Sequence, residues 1–451
     1  MTIKSLNLAG WRQFDHVSLD FHPRLTVITG GNGSGKTALL RVLARTLGRT
    51  FEELSVPVSD PKRGTLSFLA SLADEKRIKQ ILSDPHLSKE DQYYFSLLLD
   101  QKHSLDIERR YSFDPQEFRR IGEMLFNDGA DPGVILANRV TTTPTYDILI
   151  LRQESPEGLF IPSHRSEYFY KTVESIPLKV TTTRDIFNRI TTALHTRSTY
   201  AWSNENLPPS YYMKETLLSW AYIGFGSELI AGNAPMRSFF RSFEQILHKI
   251  LPKTLKFRRL DIRTPEIVLM TDTGDFMIDA VSGGIGATLD LAWQVFIRDP
   301  TRQEKLTVVI DEVENHLHAS MQRSILPGLL EAFPNSQFIV STHSPLVVGS
   351  VKESSVYALR YNERNRVYSD RLDIVEKSGT ATEILREVLD VPVTAPIWVE
   401  EYLNDAAAQF AGLEQSKETI QALREVLRET GLGEFAPLAI TKLIQRWESL
   451  Q

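Results

Sequence analysis

Short apolar runs alternate with helix-compatible stretches at both ends of the chain, and the middle is mixed. Ile3, Leu6 and Leu8 mark a first strand, and residues 25–29 form a continuous apolar run of the kind buried on both faces. Glycines follow, then a helix-forming run over 38–44 that ends near Gly48. Strands return beyond Phe257, where 267–270 and 276–278 flank the turn 271–274 as a hairpin. A glycine-rich turn, a helix, a strand over 306–310, a second helix and a strand over 337–340 complete the series. That alternation predicts an α/β core.

Residues 51–256 interrupt this pattern and read as mixed α/β becoming helical. Helices are expected at 76–82, 90–99, 213–224 and 236–251, with polar or proline-rich breaks near 57–64, 131–133 and 204–210. No heptad persists for the three or four repeats that a coiled coil needs. The expected organisation is a head built from 1–50 and 257–395, a mainly helical insertion over 51–256, and a helical segment over 396–451.

Composition narrows the function classes. With 42% hydrophobic and 24% charged residues, the 451-residue chain reads as globular. It has no cysteine, which removes disulfides, thiolate zinc sites and cysteine nucleophiles, and suits a reducing compartment. No apolar run reaches the roughly 18 residues that span a bilayer, and the start runs straight into a strand without a signal-peptide layout. The expectation is a cytoplasmic protein without membrane contact. A net charge of −6 offers nucleic acid no global attraction. Contact with it would rest on one local cluster, Lys249, Lys253, Lys256, Arg258, Arg259 and Arg263, interrupted only by Asp261. With Phe257, that cluster suits either a phosphate backbone or a solvated strand face.

Candidate chemistry is concentrated in four places. Gly30-Gly31-Asn32-Gly33-Ser34-Gly35-Lys36-Thr37 fits GxxxxGK[ST] in full, between a strand and the helix that Ala38 opens. Such glycines let backbone N–H groups turn inward as an anion nest, and the helix N-terminus adds partial positive charge. Lys36 is placed for the β/γ-phosphates of ATP and the Thr37 hydroxyl for Mg²⁺. The strand over 306–310 ends in Asp311 and Glu312: the first can hold Mg²⁺ beside Thr37, and the second can orient or deprotonate a water. Ser282-Gly283-Gly284 opens a helix and is a second anion site by the same reasoning. His343 follows the strand over 337–340, where it can sense a γ-phosphate or hold the water, although a lone histidine there is more often structural.

Together these motifs resemble the ABC-type ATPases of the SMC, Rad50, RecF and OLD group. The run 3–37, with Trp11-Arg12-Gln13-Phe14, is similar to that group's opening, which implies a nucleotide contact for Arg12. Residues 311–318 (DEVENHLH) resemble the DEPExxLHP stretch of OLD-like ATPases, with Val313 and Ala319 in place of two prolines. Gly31 replaces a frequent proline, and Ile285 the glutamine of the transporter signature. The position of Ser282-Gly283-Gly284, about 25 residues ahead of the acidic strand, implies the signature that closes on a partner subunit's nucleotide. The stretch 159–165 (LFIPSHR) is similar to a strand-to-loop region facing the nucleotide, or is a plain strand end, with Arg165 and Gln153 the candidates for contacting phosphate or water.

The resemblance covers about 35 residues at the start and about 100 around 265–350. It implies an ABC-type P-loop head, a mixed sheet core plus an antiparallel β subdomain, working as a homodimer or higher homo-oligomer with ATP and Mg²⁺. Trp398-Val-Glu400-Glu401 faintly resembles the first acid of a TOPRIM nuclease, but the last aspartate is Asp405 and no DxD follows. An ATPase without its own nuclease or rod resembles the stand-alone partners in Septu- or PARIS-like anti-phage pairs, which implies a separately encoded nuclease or toxin as effector. A RecF-like repair ATPase that binds DNA itself is the alternative, and a transporter's nucleotide subunit fits poorly.

Overall fold

The computed structural model describes residues 1–60, 65–69, 118–138, 140–141, 144–151, 154–165, 170–176, 183–189, 207–229, 231–389 and 395–449. The helices expected at 76–82 and 90–99, and Gln153, lie outside them. The described residues fall into two compact units, Met1–Ile384 and Leu385–Gln451.

An eleven-stranded mixed sheet organises the first unit. Its parallel half consists of β12 (Gly158–Ile161), β16 (Thr307–Ile310), β17 (Gln337–Ser341), β3 (Leu25–Gly30) and β18 (Ser355–Tyr361), side by side in that order. Every residue of β3, β16 and β17 is buried, which explains their unbroken apolar runs. The other half is mainly antiparallel. There β19 (Val367–Arg371), beside β18, leads to β2 (Phe14–Asp20), β1 (Ile3–Ala9), β7 (Phe118–Phe126), β8 (Gly133–Asn138) and β11 (Ile148–Leu151).

The segment 51–256 therefore begins as β structure and feeds the head's own sheet from both edges. Its remaining described strands make two small sheets: β4 (Glu53–Leu54) with β10 (Thr145–Tyr146), and β5 (Val56–Asp60) with β6 (Thr65–Leu69) and β9 (Val140–Thr141).

Helix α1 (Lys36–Arg45) buries Leu39, Leu40, Val42 and Leu43 against a core that also holds Trp11, Phe14, Ile28, Val309 and Ile339. The insertion then becomes helical as expected, with α2 (Pro209–Phe225) and α3 (Ala234–Ile250). Helix α3 is capped by Asn233, whose side chain accepts the Met236 N–H at 3.2 Å. Both pack on α4 (Gly283–Arg298) through aromatic rings: Trp220 lies 5.6 Å from Trp293, and Phe243 lies 5.0 Å from the same indole. The hairpin predicted around 271–274 forms within a three-stranded sheet, β13 (Phe257–Arg263), β14 (Glu266–Thr271) and β15 (Phe276–Met277).

Among the described residues of the second unit, α5 (Ile397–Ala411), α6 (Lys417–Glu429) and α7 (Ala436–Ser449) pack around Leu403, Leu423, Leu427 and Leu443. Glu400 and Asp405 lie on α5, and Glu400 pairs with Lys442 at 3.6 Å.

Candidate functional site: a nucleotide cradle at the ends of three parallel strands

Strands β3, β17 and β16 are adjacent and parallel, so their carboxyl ends open on one edge, the place where open α/β sheets bind ligands. Register sets the details. Ile310 faces Val340 and Ser341 faces Ile28, which brings Asp311 beside Ser341 and the start of the phosphate loop beside both.

The loop from Gly30 to Gly35 is built on positive φ at Gly30, Gly33 and Gly35 (139°, 80° and 95°). At Gly35 a side chain is excluded outright: a Cβ would lie 2.6 Å from Phe14 Cζ and closer still to the Gln13 amide. The helix that follows has no acidic residue in its first turn, so its free N–H groups face the loop uncompensated. Inside the loop, the Lys36 ammonium donates to the carbonyls of Gly30 and Gly31 at 2.8 and 3.0 Å. Burial lowers its pKa to about 8, against the pull of Asp311, Glu312 and Glu314. Ser34 is wholly buried, and its Oγ has no hydrogen-bond partner. A cation bound only to carbonyls, an orphaned hydroxyl and open amides fit a polyphosphate.

Thr37 closes the metal side of the cradle. Its Oγ1 donates to Asp311 Oδ2 at 2.9 Å, and Ser341 Oγ donates to the other carboxylate oxygen at 2.5 Å. A hydroxyl and a carboxylate in contact at the foot of the phosphate loop are the pair that holds Mg²⁺ with a nucleotide. The donor set fits the ion.

Glu312 follows in an unusual backbone state, φ 47°, which costs a non-glycine residue about 1–3 kcal/mol. Two contacts hold it there: its N–H donates to Ser341 Oγ at 2.8 Å, and its carbonyl accepts from Arg165 Nη2 at 2.8 Å. Arg165 also donates to the Asn315 carbonyl at 2.9 Å, while Asn315 Nδ2 donates back to the Ser163 carbonyl at 2.7 Å. The 159–165 stretch does face the acidic loop, but the Arg165 guanidinium holds backbone there and is a positioning group. Burial lifts the Asp290 carboxyl of α4 to about 6, opposed by the Arg165 charge and the Gln294 amide.

His343 stands at the same edge. Its N–H donates to Glu314 Oε1 at 2.5 Å, and Glu314 Oε2 is buried without a partner. Burial and then Lys36 depress the imidazole below its ordinary value, with Glu314 pulling the other way.

Ser282 and Gly283 are exposed at the start of α4, and the Ser282 side chain makes no capping bond. A Cβ at Gly284 would lie 3.2 Å from the His316 carbonyl and 3.3 Å from Met321 Sδ. Gly284 therefore packs on the loop after Asp311. Asn32 is exposed at the lip of the phosphate loop, and Ala38 is buried beneath it.

Arg12 pairs with the buried Glu53 and reaches the Tyr146 hydroxyl at 3.3 Å. Its neighbour Gln13 touches the loop, donating to the Gly33 carbonyl at 3.2 Å. The basic cluster is not bare. Arg258 pairs with Asp272, Arg259 and Arg263 with Asp261 at 3.4 and 3.2 Å, Arg263 with Asp275 at 2.9 Å, and Lys249 with Glu331 at 3.6 Å.

Comparison with known proteins adds partial matches. A domain family described as "AAA domain, putative AbiEii toxin, Type IV TA system" matches residues 187–349, and one described as "AAA domain" matches 5–123. The chain is 32% identical over 124 residues to a "Retron Vc95 probable ATPase" of Vibrio cholerae serotype O1 biovar El Tor, covering 24% of each chain. It is 25% identical over 166 residues to the "Septu protein PtuA" of Bacillus thuringiensis, covering 34% of this chain and 42% of that one. The chain thus spans less than half the length of these curated relatives. The SMC head domain from Thermotoga maritima aligns with a TM-score of 0.39 at 15% identity, over 83% of this chain and 100% of that one. No helix among the described residues is long and apolar enough to cross a membrane. With a phosphate loop, a glycine turn and an acidic strand in this order on a mixed sheet, the chain is similar over these partial lengths to AAA domain families and to retron and Septu proteins.

Proposed function

We propose that this protein is an ATP-dependent switch whose two copies engage head to head and control a separately encoded effector, a nuclease or toxin, in defence against phage. The observation that carries the ATPase part is the Thr37–Asp311 contact, which joins the phosphate loop to the acidic strand. Lys36 and the loop amides bind the β- and γ-phosphates, and Thr37 and Asp311 hold magnesium. Bound there, magnesium neutralises charge on the transferred phosphoryl group. Glu312 accepts the proton of the attacking water, and His343 orients it. Ser282 and Gly284 of a second copy close over the γ-phosphate, a self-complementary contact that suits two-fold symmetry. Hydrolysis then releases the pair.

The defence context rests on the similarity to retron and Septu proteins. The carboxylates around Arg258, Arg259 and Arg263 weigh against a RecF-like role in which the cluster tracks DNA.

Glu312→Gln is expected to cut turnover by about 100-fold or more and to accumulate an ATP-bound assembly in light scattering. Hydrolysis at the parental rate removes the role given to Glu312. ATPase stimulated by duplex DNA alone, with steep salt dependence, would replace the defence reading with the repair one.

A further inference from the structure

Lys214 has no exposed side-chain surface and takes no part in the nucleotide contacts described above. It projects from α2, in the insertion, among acceptors. Asp279 Oδ2 accepts at 2.7 Å, the Lys171 carbonyl accepts at 3.2 Å, and the Glu266 carboxylate forms an ion pair with it. The Tyr170 ring lies 5.1 Å from the ammonium, and the Tyr170 hydroxyl donates to Glu266 Oε1 at 3.1 Å.

What makes the arrangement informative is where Asp279 sits. It belongs to a short 3-10 turn, 278–280, three residues ahead of Ser282, and is itself buried. The same helix α2 grips α4 farther along, with Trp220 5.6 Å from Trp293 and 6.0 Å from Phe296. The insertion thus holds both the body of α4 and the turn that begins it. Burying an ammonium costs more than burying an apolar side chain of the same volume, and the cost is offset only by directional bonds. Such a group fixes location better than it adds bulk stability.

We propose that Lys214 is a positioning residue for the Ser282–Gly284 turn, holding it from the inserted helix so that two copies can engage across ATP. This rests on the reading of that turn as the surface closing on a second copy's nucleotide. Movement of α2 then shifts the turn, and engagement becomes sensitive to whatever binds the insertion.

In a Glu312→Gln background, Lys214→Met is expected to weaken ATP-dependent association of two copies by about tenfold or more, read by sedimentation across chain concentrations. Binding of a fluorescent ATP analogue to dilute chains changes by less than about twofold, because the phosphate loop keeps its contacts. Lys214→Arg, which retains the charge, recovers part of the association. Where Lys214→Met does not fold, Lys214→Met/Asp279→Asn/Glu266→Gln removes the stranded charges and answers the same question. Association at parental strength in the Met variant or the triple variant overturns the proposal, and so does a parallel loss of nucleotide affinity. If the Glu312→Gln chain itself shows no ATP-dependent association, the reading of the turn fails first and the role of Lys214 falls with it.

Discussion

At Lys36 two requirements conflict. The site must bury a cation to grip phosphate, and burial without phosphate lowers its pKa to about 8. The sign of the consequence differs for folding and for binding. The unfolded chain holds this proton up to the ordinary 10.5, so between about 8 and 10.5 it binds more protons than the folded chain. Raising pH through that window therefore stabilises the nucleotide-free fold. Nucleotide affinity moves the opposite way, since phosphate binds the protonated form. It is expected to be flat below about pH 8 and to fall above it by up to about tenfold per unit, measured by calorimetry in buffers of differing ionisation heat. Proton uptake on binding in that range is the companion signal, and its absence would assign the affinity to other groups. The residues of this cradle were legible in the sequence because each acts within a contiguous string whose spacing is itself the chemistry. The partners of Arg12 were not legible, for a related reason. A string shows which residues are adjacent, but not that Glu53 and Tyr146 wait on one side of the turn while Gln13 faces the other.

At the scale of elements, strand pairing decides what sequence proximity suggests. The cluster around Arg258 and Arg263 looked nearly free of acids along the chain. Pairing of β13 with β14, and of β14 with β15, folds the acid-bearing turn between them back onto those arginines, so Asp272 and Asp275 become their neighbours. Strand β7 was hidden differently. It mixes Arg, Glu, Met and Leu, residues that favour helices when read alone. Arg165 belongs to this scale too, since it ties the end of β12 to the loop after β16. Its planar fork serves two carbonyls at once, a geometry lysine cannot reproduce. Arg165→Lys should lower the rate of hydrolysis by about 100-fold, because the Glu312 backbone is no longer held in its left-handed state. Nucleotide affinity should stay within about twofold. A lysine variant with unchanged single-turnover rate would show that Ser341 alone suffices.

For the whole molecule, each compact unit has its own core. Leu427 is fully buried among Leu403, Leu423 and Trp447 in the second unit. Leu427→Ala should destabilise that unit by about 2–5 kcal/mol, visible as faster hydrogen exchange over 397–449; unchanged protection there would mean that the cluster is not its core. The sequence reads 396–451 as helical, and α5, α6 and α7 form within it. The head was harder, because its sheet draws neighbours from distant parts of the chain.

The phosphate-loop strand β3 is complete by residue 30, yet both strands that flank it begin only at Gln337 and Ser355. On a ribosome, the glycine loop therefore emerges some three hundred residues before anything can pair beside it. Throughout that interval an apolar, two-sided ribbon must be sheltered from other nascent strands. Nucleotide capture is thus among the last events of synthesis, and a chain stalled midway holds the ATP motif without the means to use it.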